Sequence, residues 1–318
     1  MLKELKFVQG AVARKDFVPE LTHFHIKNGM VKSFNGTLAL CAPIDIGLDI
    51  KPKAVQFIKA IQSCKSEAVQ LSITPTGRLS VKSGKFKALI ECLDTEFPDV
   101  VPEGEWVSLD GIDIIPALKK LSDYTGEDAS RKWAMGILLR GSCAYATNNV
   151  ILAEYDLGVN FPVEINIPAK AVAEIVRIGK EPRGLMITEH NVTFMYDKDH
   201  WIKTQLYDLG WPDLSKVLGR EADYHPVSEE WFDAVETVSP FVNELSQVFF
   251  EPNKITTDTD GGAGGTVELE NFPYQGVYNY KYFLSLKGLI TEIDLHAYPS
   301  PCLFRGHKVR GALMGMRK

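Results

Sequence analysis

The chain repeats itself. Lys53-Ala54-Val55 with Ile58 and Ile61 returns as Lys170-Ala171-Val172 with Ile175 and Ile178, and Phe97-Pro98-Asp99-Val100 returns as Trp211-Pro212-Asp213-Leu214 about 114 positions later. A third unit of similar size closes on Met314-Gly315-Met316-Arg317-Lys318. Repeated, similar domains raise a question of shape before one of catalysis. At 318 residues the chain is too long for one ordinary core and suits two or three domains of roughly 100 residues each. The repeats place the boundaries near residues 104 and 216, giving domains 1–104, 105–216 and 217–318.

Within each unit the same order of signals recurs. Unit one offers short alternating strands around Asn28-Gly29 and Asn35-Gly36, a helix after Pro52, and two paired strands about Thr76-Gly77. Unit two repeats this through Ile137–Leu139, Tyr145–Thr147 and Val150–Ala153, with a helix after Pro168 and a turn at His190-Asn191. Both helices are expected to carry proline in the first turn, where its missing N–H costs nothing. Unit three is more diverged: strands flank a glycine-rich hairpin from Asp260 to Gly265, and Asn279 is predicted to cap a helix from Tyr280 to about Ile290. Units two and three also open with predicted helices at Ile114–Tyr124 and Ser228–Val238. The fold class is α+β with β content dominating.

The three recurring helices share a charge bias. On the first, Ala54, Val55, Phe57, Ile58 and Ile61 gather on one side, with Lys53 and Lys59 opposite. On the second, Lys170, Arg177 and Lys180 oppose Val172, Ile175 and Ile178; on the third, Lys281 and Lys287 oppose Phe283, Leu286 and Ile290. Glu174 is the one acidic residue within them. The chain as a whole has a net charge of −6, which taken alone argues against nucleic-acid binding. Basic side chains placed on the same element of each repeat argue the other way. A basic stripe with no base-reading motif points to the phosphate backbone and to sequence-independent binding. Arg131 and Lys132 extend the basic set, and they favour a DNA-facing place for Trp133 between them and the sheet.

Other residues exclude more than they suggest. Five scattered cysteines without a CxxC pair fit a reducing compartment and offer no disulfide or zinc framework. The N-terminus is charged and lacks the apolar core of a signal peptide, and no run approaches the ~18 apolar residues of a membrane span. A cytoplasmic protein with no membrane partner is expected.

The residues resemble a known family, the bacterial DNA polymerase sliding clamp, which is the beta subunit of the replicative polymerase. The resemblance covers nearly the whole chain and is carried by Gly77-Arg78-Leu79-Ser80-Val81, Arg131-Lys132-Trp133-Ala134-Met135-Gly136, Tyr145 to Ala153, Asn279 to Leu284, and the terminal Met314-Gly315-Met316-Arg317. It implies a head-to-tail homodimer of three-domain protomers closing a ring around double-stranded DNA. Helices would line the hole and antiparallel sheets the outer wall. The implied function is a non-enzymatic processivity factor that needs no cofactor or metal and is served by a clamp loader. It tethers the DNA polymerase through a hydrophobic peptide-binding cleft. By position, Thr147, Asn149, Val150, Leu152, Leu218, Met314, Gly315, Met316 and Arg317 would form that cleft. Methionine is adaptable and polarizable, which suits a surface that several peptides share. The chain departs from the family pattern at Gly315, at Asn149-Val150-Ile151 and at Lys318, and is shorter than most bacterial clamps, as a compact or phage-encoded version would be. The acids Glu229, Glu230, Asp233 and Glu236 put a DNA-lining role for their helix in doubt.

Two alternatives stand beside this reading. One is an enzyme of repeated α+β domains with a metal site at Asp258 and Asp260, although a turn between strands explains those residues better. The other is a clamp-fold ring of different stoichiometry.

Overall fold

A computed structural model describes residues 1–15, 17–66, 68–257 and 262–317. Asp258 and Asp260, and Lys318 at the terminus, lie outside the described residues. Among the described residues seven α-helices occur in chain order: α1 (Leu2–Val8), α2 (Ala54–Ser63), α3 (Ile115–Leu121), α4 (Ala169–Ile178), α5 (Ser215–Leu218), α6 (Glu229–Val238) and α7 (Tyr280–Leu284). The chain divides into two compact units, one of residues Met1–Gly111 with Ala173–Leu206, the other of Ile112–Val172 with Tyr207–Lys318.

The first unit contains a seven-stranded antiparallel sheet in the order His25–Lys27, Met30–Phe34, Leu38–Pro43, Trp201–Gln205, Asn191–Met195, Gly184–Ile187 and Glu105–Ser108. A three-stranded sheet, Gln70–Ile73, Leu79–Ser83 and Phe86–Ile90, accompanies it. α1 packs on the strands of residues 30–43 and on α2. The second unit holds an eight-stranded sheet in which Ile151–Asp156 pairs with the last strand, Val309–Leu313. A four-stranded sheet runs Thr266–Glu268, Lys254–Thr256, Gln247–Glu251, Gly276–Asn279, and α6 packs on α7 and on the first two of these strands.

The repeat is visible in the element order. Each of the three stretches runs helix, short strands, helix, further strands, with α1 and α2, α3 and α4, α6 and α7 in corresponding places. Amphipathic spacing explains the helices. α2 buries Ala54, Phe57, Ile58, Ala60 and Ile61, a period of three to four residues, and each large member contributes about 1.5–3 kcal/mol of burial. α4 does the same with Ala171, Val172 and Ile175. Ser228 caps α6 and Asn279 caps α7, their side chains accepting from the Glu230 and Lys281 N–H groups.

Four local expectations change. Val55 does not join the buried face of α2 but is 47% exposed. Pro52 and Pro168 stand just before their helices rather than in the first turn; Pro168 ends a strand, and the Pro52 carbonyl accepts from the Phe24 N–H at 3.0 Å. α7 stops at Leu284, and the chain continues to Ile290 as tighter turns (Lys287 N–H to Leu284 O, 3.0 Å), with Gly288 in the left-handed region at φ 71°. Finally, the first repeat also opens with a helix, α1, which buries Leu5 and Val8.

Candidate functional site

The end of the chain is ordered by its own neighbours. Strand Val309–Leu313 pairs with Ile151–Asp156 so that Arg310 stands opposite Glu154. The Arg310 guanidinium donates two bonds to the Glu154 carboxylate (2.5 and 3.0 Å), and those bonds hold the guanidinium above its usual pKa. Beyond the strand, the Met314 N–H donates to the Val150 carbonyl at 2.8 Å and the Met316 N–H to the Val277 carbonyl at 2.7 Å. The Tyr298 hydroxyl then donates to the Met316 carbonyl at 2.8 Å. Gly315 lies flat against the Tyr298 ring: a Cβ there would stand 2.5 Å from two ring carbons. Glycine at this point is therefore a packing requirement. The Met314 side chain remains 39% exposed.

Beside this tail lies an apolar cluster. Leu138, Leu152 and Trp211 are buried, and Trp133, Tyr145, Leu214, Val217 and Leu218 pack against them while staying partly accessible. Leu138 and Tyr145 are cross-strand partners, and Leu152 faces Ala312 of the last strand. α5 supplies Leu218 through one helical turn, started by Asp213, whose carboxylate accepts from the Ser215 hydroxyl at 2.6 Å and the Ser215 N–H at 3.1 Å. Those bonds hold the Asp213 carboxyl below its usual pKa. α5 touches the last strand, so tail and cluster are neighbours.

The hairpin that carries Thr147, Asn149 and Val150 is stitched by side chains. Thr147 is buried, and its hydroxyl donates to the Ile151 carbonyl (2.8 Å) and accepts from the Asn149 N–H (3.1 Å). Asn148 accepts from the N–H groups of Val150 and Ile151. Asn149 adopts φ 70°, a conformation that asparagine tolerates better than most residues. Thr147 thus shapes the turn from within, whereas Asn149 is exposed.

Trp133 packs on a second tryptophan. Its indole packs edge to face on Trp211, with ring centroids 5.1 Å apart, and its carbonyl accepts from the Asn166 amide at 2.9 Å. The same amide donates to the Asp208 carbonyl at 3.0 Å, so the fully buried Asn166 ties together the two segments that carry the tryptophans. Trp133 is half-buried, and its packing on Trp211 fixes the ring. Sequence reasoning missed Trp211, Leu138, Tyr145, Leu214 and Val217. Only the helical spacing of Leu214, Val217 and Leu218 could have hinted at them.

The basic residues fall into two groups. Lys59, Lys132, Lys170, Lys180 and Lys281 are exposed, and Lys53 is half-buried at the N-cap of α2. Three others are engaged. Arg177 pairs with Glu174 (2.5 Å) and donates to the carbonyls of Lys6 and Phe7 at the end of α1 (3.1 and 2.8 Å). Arg131 donates to the Asn149 side chain at 2.6 Å, linking a residue expected at DNA to one expected in the cleft. Lys287 pairs with Asp233 at 2.7 Å and Glu236 at 3.7 Å, and the hydrogen bond to Asp233 raises its pKa. Among the described residues no group of three or more His, Cys, Asp or Glu side chains is placed to hold a metal ion, and no helix is long and apolar enough to cross a membrane.

No family model matches the sequence, and no curated protein matches it. Solved structures do resemble it. A Caulobacter crescentus beta sliding clamp superposes with a TM-score of 0.84 at 19% identity, covering 100% of this chain and 97% of that one. A Bartonella birtlesii sliding clamp, DNA polymerase III subunit beta bound to griselimycin, gives 0.82 at 21% identity over the same shares. A Helicobacter pylori beta clamp bound to a DNA ligase peptide gives 0.76 at 17%, again over 100% and 97%. The chain has the fold of the bacterial beta sliding clamp, an α+β fold of repeated domains with antiparallel sheets.

Proposed function

We propose that this protein is a DNA sliding clamp: a non-enzymatic ring that encircles duplex DNA and tethers a polymerase. The observation that carries this reading is the end-to-end correspondence of one unbroken chain with bacterial beta clamps, at TM-scores of 0.76 to 0.84. In this reading the repeats bounded near residues 104 and 216 are three domains per protomer, and two protomers join head to tail. A clamp loader would place the ring on DNA. The exposed lysines Lys59, Lys132, Lys170, Lys180 and Lys281, with Lys53, face the phosphates. Weak, salt-screened contacts of this kind let a ring slide where tight ones would stall it.

The partner cleft in this reading is the cluster of Leu152, Trp211 and Leu218, bordered by Val150, Asn149 and the pinned tail of Met314, Gly315, Met316 and Arg317. A shallow apolar surface with a polarizable methionine at its edge suits short peptides anchored by one or two apolar side chains. One resemblance supports this use: the Helicobacter pylori clamp has been solved with a DNA ligase peptide bound.

The test is topological. Loaded on a nicked circular plasmid, the protein is expected to remain bound through gel filtration and to be lost once the circle is linearised. Equal retention on both forms sinks the ring. Removal of Met314–Lys318 is expected to abolish capture of the polymerase while leaving the oligomer intact by sedimentation; persistent capture means that the tail is no part of the cleft.

A further inference from the structure

The three repeats differ at one sheet edge. In the second, the strand Glu105–Ser108 precedes α3 and pairs with Gly184–Ile187. In the third, His225–Pro226 precedes α6 and pairs with Glu292–Ile293. Each of these repeats begins with a strand that covers one of its own later strands. The first repeat opens on α1, and the corresponding strand, Gln70–Ile73, is the outer one of its sheet, paired only with Leu79–Ser83 among the described residues. Leu71, Ile73 and Thr74 stand here where Leu185, Ile187 and Thr188 stand in the second repeat.

Burial records the difference. Leu185, opposite Val107 of the covering strand, is fully buried, and so is Ile293 opposite His225. Leu71 is half-buried and Ile73 is 49% exposed, although they share a sheet face with the fully buried Val81 and Leu79 opposite them. The backbone is open at the same two residues. The Thr74 N–H donates to the Arg78 carbonyl at 2.9 Å, and alternation along an antiparallel pair then turns the N–H and C=O groups of Leu71 and Ile73 to the open side. In the second repeat the Leu109 N–H donates to the Arg183 carbonyl at 3.0 Å, and the same alternation gives the groups of Leu185 to Val107. An apolar edge with free backbone groups is a template for another strand. Charge adds to the description of what fits. Lys82, opposite Gln70, and Lys87, opposite Lys82, are exposed, and among the described residues neither has a carboxylate within 4.0 Å. In the second repeat the segment that enters the covering strand brings Glu103 to Lys203 at 2.6 Å. A second copy pairing through the same edge would bring Gln70, Ser72 and more lysines, but no acid.

We propose that the open edge of Gln70–Ile73 binds an extended segment of a partner protein as an added antiparallel strand. That segment carries apolar residues at alternate positions, over Leu71 and Ile73, and a carboxylate toward Lys82 and Lys87. The site uses none of the residues of the cleft above and stands without the clamp reading. The probe is the segment that covers the second repeat: a fluorescein-labelled peptide of residues 102–110, titrated with the full chain and followed by anisotropy. It is expected to bind, and Ile73→Lys, which sets a charge on the edge, to weaken it at least about tenfold. A peptide N-methylated at the Val107 position lacks the N–H that the Leu71 carbonyl would accept and should bind about tenfold more weakly. One N-methylated at the Ser108 position, whose N–H points away, should bind like the parent peptide. Lys82→Glu with Lys87→Glu should weaken the parent peptide about threefold and remove the salt dependence of its binding.

Melting temperatures equal to the parent's show that the variants are folded, and the two methylated peptides decide the matter on the unaltered protein if they are not. No binding of the probe, a silent Ile73→Lys or equal affinity of the two methylated peptides overturns the proposal. So does self-association of the full chain that Ile73→Lys abolishes and the probe displaces, which would give the edge to a second copy. Affinity untouched by the two lysine changes overturns the acidic chemistry of the partner. Failure of the parent protein on nicked circles ends the clamp reading and leaves this site standing.

Discussion

α2 and α7 look alike in sequence, each an amphipathic helix with lysines opposite an apolar stripe, yet their charges end differently. On α2, Lys59 is exposed and unpaired among the described residues. Just past α7, Lys287 is drawn to Asp233 and Glu236 of α6, the acidic helix of the same repeat. The apolar sides behave the same way. Phe57 and Phe283 are both fully buried, and Phe283 stands against Phe232 and Phe250 with ring centroids 5.1 and 5.0 Å away. In the sliding-clamp reading, a basic residue is a candidate DNA contact only where the rest of the fold has left it a free charge.

The largest effects probe what the two helices share. Phe57→Ala and Phe283→Ala should each cost about 3–5 kcal/mol in urea unfolding, because both leave a cavity beneath a helix. A loss at one site only would mean that the helices are not anchored alike. A smaller effect separates them. Lys59→Ala should lower the salt slope of duplex binding by about 0.9, one phosphate contact, while Lys287→Ala leaves the slope unchanged. Equal falls at both positions break the distinction. Smallest is the release of Lys287: Asp233→Asn with Glu236→Gln should raise the slope by at most about 0.9. No rise at all would show that position, rather than pairing, keeps Lys287 from DNA.

The α+β class, the recurring order of helices and strands, and the Asn279 cap were legible in the sequence. Each rests on interactions between residues a few positions apart: a capping oxygen and an N–H, an apolar stripe at helical spacing, a turn residue between alternating strands. The candidate cleft was legible only in part. Val150, Leu152, Leu218 and Met314 came from a resemblance. Trp211 and Trp133 were hidden because the Asn166 side chain that ties their segments together is far from both in sequence. The basic neighbours of Trp133 were visible in the sequence and its packing partner was not.

The compact units show a similar limit. The repeat suggests divisions near 104 and 216, but the seven-stranded sheet joins residues 25–43 to 105–108 and 184–205. A sequence repeat records what was copied, whereas a sheet continues wherever an unpaired edge finds another strand.

Local pattern, which acts over a few residues, wrote the helices, turns and repeats of this protein directly into its chain. The tertiary structure alone decided which cations stayed free, which tryptophans met and how Met314 and Met316 were held, because those outcomes depend on distances between groups remote in sequence. Lys287 carries the same charge as Lys59, and only the acids 2.7 and 3.7 Å away make it a different residue.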